Sequence, residues 1–176
     1  MRTVPAQLAG EVSTRIASHT YSGNDFPVDY PLDLDTISMT LHESVHFTAN
    51  LSDINSNSAW LNLVHLKSRG HARLGPDHRV FTLTMFHQHH CLVMLHLGMA
   101  DNNPVASSHH IQHCLDYLRQ TFLCAAADGL EYGDFMERNF SKERVGDMLV
   151  CQDWEKVYME LDENVAEWEA WSSRWN

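Results

Sequence analysis

Apolar residues recur at every second position between Ile37 and Phe47. Ile37, Met39, Leu41, Val45 and Phe47 all fall on odd numbers, with Glu43 breaking the series. A period of two belongs to a strand with one covered face, so a strand is expected there. Arg79 to Met85 alternates around Val80, Phe81 and Leu83 and predicts a shorter one. Between them, Asp53 to Ser58 reads as a polar turn and Trp60 to Leu66 as one or two helical turns. Gly70 to Asp77, with Gly75-Pro76, reads as a loop. Tyr21 to Asp35 carries Gly23, Pro27, Pro31 and several aspartates, and is expected to be an irregular segment lying on the domain.

The period then lengthens. Phe86 to Met99 is apolar nearly all round through Leu92, Val93, Leu95 and Leu97, the pattern of a buried helix. Asp101-Asn102-Asn103-Pro104 stops it. Ser107 or Ser108 offers an N-cap for a second helix running to about Ala127, with Gly129 as its stop. Its apolar face is Ile111, Leu115, Leu118 and Phe122. A connection this short makes the two helices antiparallel neighbours. A third helix begins near Asp153, and Trp154, Val157, Leu161, Val165, Trp168 and Trp171 form a core-packing stripe. The fold class expected is mainly α with minor β (α+β), a compact single domain around the antiparallel helix pair. Residues 1–19 read as an N-terminal leader and 20–176 as one domain.

Composition narrows the function. Hydrophobic content of 44% and charged content of 20% are those of a globular chain. A formal net charge of -11 disfavours nucleic acid and anionic membrane surfaces as partners. Much of the acidity follows Asp128, as on a solvated helix face. No apolar run has the length of a membrane span, and Met1 to Ala17 lacks a signal-peptide core. The chain is therefore expected to be soluble as it stands or to lack an anchor. The triplets Asn50-Leu51-Ser52 and Asn139-Phe140-Ser141 are glycosylation sequons that support secretion only weakly.

Histidine is the unusual residue. The chain has 13, and eight of them lie between His65 and His109. Two segments repeat one pattern: His87-Gln88-His89-His90-Cys91-Leu92 and, 23 residues on, His110-Ile111-Gln112-His113-Cys114-Leu115. Residues three apart on a helix share a face. His87 and His90 thus point one way, as do His110 and His113, and two facing helices would surround a small volume with four imidazoles. Such a nitrogen-rich set, with only Asp101 and Asp116 as nearby carboxylates, suits copper or zinc. His89 and His109 are candidate extra ligands. The plain alternative is that all of these are core or surface histidines.

Each motif cysteine points about 100° round the helix from its neighbouring histidine. That suits a disulfide between the helices better than a thiolate on the same ion. Cys91, Cys114, Cys124 and Cys151 are accordingly disulfide candidates, with Cys124 and Cys151 a possible second pair and four free thiols the alternative. A nucleophilic cysteine based by His87 or His110 at i, i+4 is a rival chemistry, but no orienting Asp or Asn is evident.

The doubled motif, with its extension Leu115-Asp116-Tyr117-Leu118-Arg119-Gln120 and Cys124, resembles the UstYa-like family of fungal natural-product biosynthesis proteins. Trp60, the Gly70 region, Leu130-Glu131 and Cys151-Gln152-Asp153-Trp154 also fit its pattern. The resemblance implies a role in making a fungal secondary metabolite or modified peptide. Members act in oxidative cyclisation, hydroxylation, desaturation and halogenation, and copper is the associated metal. Many members carry a membrane anchor and face a secretory lumen. The resemblance gives His87, His90, His110 and His113 the metal-ligand and catalytic roles.

Three departures stand out. His89 replaces the family's usual Leu, and Ala127 stands where a Cys-x-x-Asp is usual. Leu149-Val150-Cys151-Gln152-Asp153 replaces His-x-Cys-Arg-Asp, so a third recurrent histidine and an arginine are absent. The leading expectation is a copper-dependent oxidase, with one or two ions, acting on a small-molecule or peptide biosynthetic intermediate in the secretory-pathway lumen. The alternatives are a redox-neutral cyclase or isomerase using the histidines as acid and base, and a non-enzymatic partner subunit. A zinc hydrolase would lack a Glu base. A homodimer or a pairing with another family member, and a soluble cytoplasmic location, stay open.

Overall fold

The computed structural model describes residues 18–42, 44, 46–64, 67–99, 103–125, 136–137 and 145–175. The expected leader up to Ala17, the Gly129 stop and the Asn139 sequon lie outside them. In chain order the elements are β1 (Thr36–His42), α1 (Ile54–Asn62), β2 (His71–Leu74), β3 (Arg79–Thr82), α2 (Thr84–Gly98), α3 (Ser108–Ala125), β4 (Val145–Gln152) and α4 (Trp154–Ser172). This is a mainly helical fold with two small two-stranded sheets, β1–β4 and β2–β3. Among the described residues no helix is long and apolar enough to cross a membrane. The chain forms two compact units, one of residues 1–36, 66–83 and 152–176, the other of 37–65 and 84–151.

In the first unit, β2 and β3 pair antiparallel, with Ala72 opposite Phe81 and Leu74 opposite Arg79. The expected loop at Gly70 to Asp77 is therefore half strand. His-Ala-Arg-Leu has the right alternation but no β-branched residue, so its strand character comes from pairing. Ala72 and Leu74 are buried, as are Val157, Leu161 and Val165, which recur every fourth residue on α4. That is the middle of the expected stripe; its ends, Trp154 and Trp171, are exposed. Asp153 caps α4 by accepting from the Lys156 N–H.

Polar clamps complete this unit. The Arg73 N–H donates to Asn164 Oδ1 at 2.7 Å, and Asn164 Nδ2 donates to the Arg73 carbonyl at 2.9 Å. The amide thereby completes the free edge of β2 as a strand would. The Arg73 guanidinium lies 3.8 Å over Trp168. Arg79 donates to the carbonyls of Tyr21 and Gly23, tying down the irregular segment. Gly75 has φ +78°, and a Cβ there would sit 2.6 Å from the Tyr21 ring, so both the turn and the packing require glycine.

In the second unit, Asp53 to Ser58 is not a turn. Asp53 accepts from the N–H groups of Asn55 and Ser56 and starts α1, while the buried Ser56 hydroxyl donates to the Thr48 carbonyl. The apolar pattern begins only at Trp60, which is why the helix start was hidden. The strand expected as far as Phe47 ends at His42; Phe47 instead packs edge-on against Trp60, 5.2 Å between centroids. Strand β4 had no expectation at all.

Helices α2 and α3 form the expected antiparallel pair. Its core is Cys91, Val93, Met94, Cys114 and Leu118, flanked by Trp60, Val64, Leu95, Leu97, Ile111 and Tyr117. Ser107 caps α3, accepting from the His110 N–H through its side chain and from Ile111 through its carbonyl. Two members of the face expected to be buried on α3 turn outward: Leu115 is 55% exposed and Phe122 63%. The side of α3 that meets α2 is occupied by His110, His113, Cys114 and Tyr117, and that stripe rotates Leu115 and Phe122 away. Leu92 likewise leaves the core, so α2 is not buried all round.

Candidate metal centre

His87 and His90 stand one turn apart on α2, as do His110 and His113 on α3. Helix periodicity puts each pair on one face, and the antiparallel packing brings the faces together. The ring centroids lie 6.4 Å apart for His87–His90 and 6.5 Å for His110–His113 along the helices. Across the helices they lie 5.8 Å apart for His87–His113 and 5.4 Å for His90–His110. The four sequence-predicted imidazoles thus form a closed quadrilateral. A half-turn that exchanges the two motif copies carries each cross-helix edge onto the other, which explains the matched lengths.

Burial, and then the neighbouring histidines, push the basicity of His87 and His90 below the ordinary histidine range. Both are neutral at pH 7, so each has one ring nitrogen free to bind a metal or accept a proton. His110 Nδ1 faces the Val105 carbonyl at 3.3 Å. A carbonyl only accepts, so Nδ1 carries a proton and Nε2 is the ring nitrogen left for another partner.

The donor chemistry fits copper or zinc. A metal–nitrogen bond of about 2.0 Å limits two imidazoles on one ion to a centroid separation of about 6.4 Å. Both cross-helix edges fall within that reach, while the along-helix edges sit at its limit. Among the described residues no three His, Cys, Asp or Glu side chains converge as a ready ion site. The arrangement is therefore two facing pairs rather than a closed cage.

The other candidates fall elsewhere. His89 bonds the Leu63 backbone and meets Phe86 edge-on, which gives it an anchoring role on another face of α2. His109 is exposed, about 100° round α3 from His110. The expected disulfides are not formed: all four cysteines are free thiols. Cys91 and Cys114 are fully buried in the core cluster of the helix pair, whereas Cys124 is exposed on α3. Burial and the neighbouring thiol push Cys91 up to about 12, the wrong direction for the nucleophile weighed above.

Sequence reasoning missed Tyr117. It lies four residues after His113, on the same stripe of α3, and its ring centroid is 4.1 Å from that of His87. The i, i+4 spacing was the available signal. It also missed His96, which is 3% exposed, stacked on Trp60 at 4.9 Å, with Nε2 bonded to Asn57 Oδ1 at 3.0 Å.

Fold and site together define an α+β protein whose helix pair carries a duplicated histidine face. The family model described as Mycotoxin biosynthesis protein UstYa matches residues 56–168, and the chain belongs to that family. It is 40% identical over 75 residues to the chlorinase cctP2 of Talaromyces islandicus, a match covering 40% of this chain and 24% of the relative. It is 32% identical over 80 residues to the UstYa family oxidase phomYb of Diaporthe leptostromiformis, covering 43% of this chain and 32% of the relative. The chain thus matches about a quarter to a third of the length of these curated relatives. No solved structure matches.

Proposed function

We propose that the chain is an oxidoreductase-type enzyme of fungal secondary metabolism, modifying a small-molecule or peptide intermediate at the four-histidine face. The observation that carries this reading is the quadrilateral of imidazoles, with edges of 5.4 to 6.5 Å. The names oxidase and chlorinase borne by two relatives support the reaction class. His87 with His113, and His90 with His110, are the residues that would hold copper. Copper bound there would supply the redox chemistry with dioxygen. The chain's own contribution is to hold the basicity of His87 and His90 below the ordinary histidine range by burial and by the neighbouring histidines, and to orient His110 through Val105. The thiols of Cys91 and Cys114 fill the core of the same helix pair.

Elemental analysis of protein purified with and without added copper, alongside His110→Ala, tests the site. The expected result is bound copper that falls in the variant; copper content unchanged by the substitution would sink the assignment. Turnover that persists without oxygen or metal would refute the oxidase.

A second reading is a redox-neutral cyclase or isomerase. The depressed basicity of His87 and His90 favours it, because neutral imidazoles at pH 7 are ready proton acceptors. It requires a product of the same mass as the substrate, whereas a two-hydrogen or one-oxygen change supports the oxidase.

A further inference from the structure

The half-turn relating the two motifs pairs His87 with His110, His90 with His113 and Cys91 with Cys114. Carried one helical turn further, it pairs Met94 with Tyr117, since each stands four residues after the second histidine of its motif. Here the equivalence breaks. Met94 is buried in the core beside Cys91 and Val93. Tyr117 instead lies against His87 and His113. Its ring is 4.1 Å from His87 at an interplanar angle of 34°, and 6.4 Å from His113 at 26°. Its ring rests on the core of the helix pair. One cross-helix pair is thus flanked by an aromatic plate. On the other edge, His110 is oriented by the Val105 carbonyl at 3.3 Å, near the long limit of a hydrogen bond.

We infer that Tyr117 is a positioning residue for His87, so that the two cross-helix pairs are unequal and His87–His113 is the stronger half-site for a copper-type cation. The half-site inequality rests on the proposed metal role of these histidines; the clamp itself does not. The physical ground is preorganisation. An imidazole free to rotate loses rotamer freedom when it takes a ligand, and a ring already stacked and buttressed has less to lose. Ordering one such side chain costs about 0.5–1.5 kcal/mol, about 2- to 10-fold in affinity, which a ring already held in place does not have to lose on binding.

The test uses the full chain with Tyr117→Leu, which removes ring and hydroxyl, and Tyr117→Phe, which keeps the stacked ring. Circular dichroism checks that each folds. In the metal-free protein, the His87 ring-proton resonances of the wild type should lie upfield, shielded by the Tyr117 ring. They should move downfield in Tyr117→Leu, with those of His110 unmoved and Tyr117→Phe resembling the wild type. Equilibrium dialysis against copper(II) should then show the tighter uptake step weakened about 2- to 10-fold in Tyr117→Leu. That loss should persist on a His110→Ala background and vanish on His87→Ala. A His87 resonance unmoved by Tyr117→Leu overturns the clamp. A copper loss of equal size on both backgrounds, or no loss, overturns the half-site inequality. A wild-type chain that takes up no copper refutes the metal reading and the inequality together, while the resonance shift still decides the clamp.

Discussion

Asn164 and His113 are both polar residues on helices, and the molecule uses them in opposite ways. Asn164 has both ends of its amide bonded to the backbone of Arg73. Arg79, Asp153 and Arg73 in the same unit are likewise committed to carbonyls, N–H groups or an indole face. In the helix pair, the four motif imidazoles instead meet chiefly one another and Tyr117. Polar groups satisfied by the protein hold structure together. Polar groups gathered face to face, two of them (His87 and His90) with depressed basicity, stay available for chemistry outside the chain. The contrast predicts that substitutions in the two regions separate stability from function.

The largest effect should come from His87→Ala combined with His113→Ala. Loss of one outer partner of a ligating histidine is worth about 10–100-fold, so loss of two donors should weaken the His87–His113 uptake step at least about a hundredfold and leave the His90–His110 step. Thermal denaturation should show the fold unharmed, because the change removes partly buried polar rings rather than core. A melting temperature that drops as far as in a core variant would make the histidine face structural and erase the contrast.

Leu161→Ala is the opposite case. Leu161 is fully buried on α4, and its truncation should cost about 2–5 kcal/mol in urea unfolding. Copper uptake per folded molecule should stay at the wild-type level. Asn164→Ala, which leaves an N–H and a carbonyl of Arg73 unpaired, should cost about 1–3 kcal/mol. A loss below the error of the unfolding measurement would show water replacing the amide. Asp53→Ala, removing the cap of α1, is the smallest, about 1 kcal/mol.

Acid sharpens the comparison from another side. Burial pushes His96 below its ordinary 6.5. The unfolded chain then binds a proton first as pH falls, so stability is complete above about pH 6.5 and declines as pH drops below it. His87, His89 and His90 shift the same way and add to the slope. Urea midpoints at pH 7.5, 6.5 and 5.5 should decrease in that order, and His96→Phe should flatten the decline. A midpoint that rises on acidification would contradict the burial account.

The helix pair was legible because an i, i+3 histidine spacing written twice admits few geometries. Cap signals were legible where the apolar pattern began close by, as at Ser107. Where it did not, as at Asp53, the helix start was read as a turn. β2 was read as a loop because His71 to Leu74 carries strand alternation without strand propensity, and its identity comes from β3 and Asn164. Tyr117 lay within a quoted motif, yet its role depends on which side chain it meets.

Sequence alone determined which residues could share a face, since helical period is a local property of each chain segment. That was enough to assign His87, His90, His110 and His113 to two stripes and to identify the family. Only tertiary structure decided which stripe turned inward on α3, because Leu115 and Phe122 compete with the histidines for one contact surface with α2. It also decided that Cys91 and Cys114 meet as buried thiols and that Tyr117, not Met94, stands over the site. These outcomes depend on how two helices pack, and packing is set by the fit of both surfaces at once.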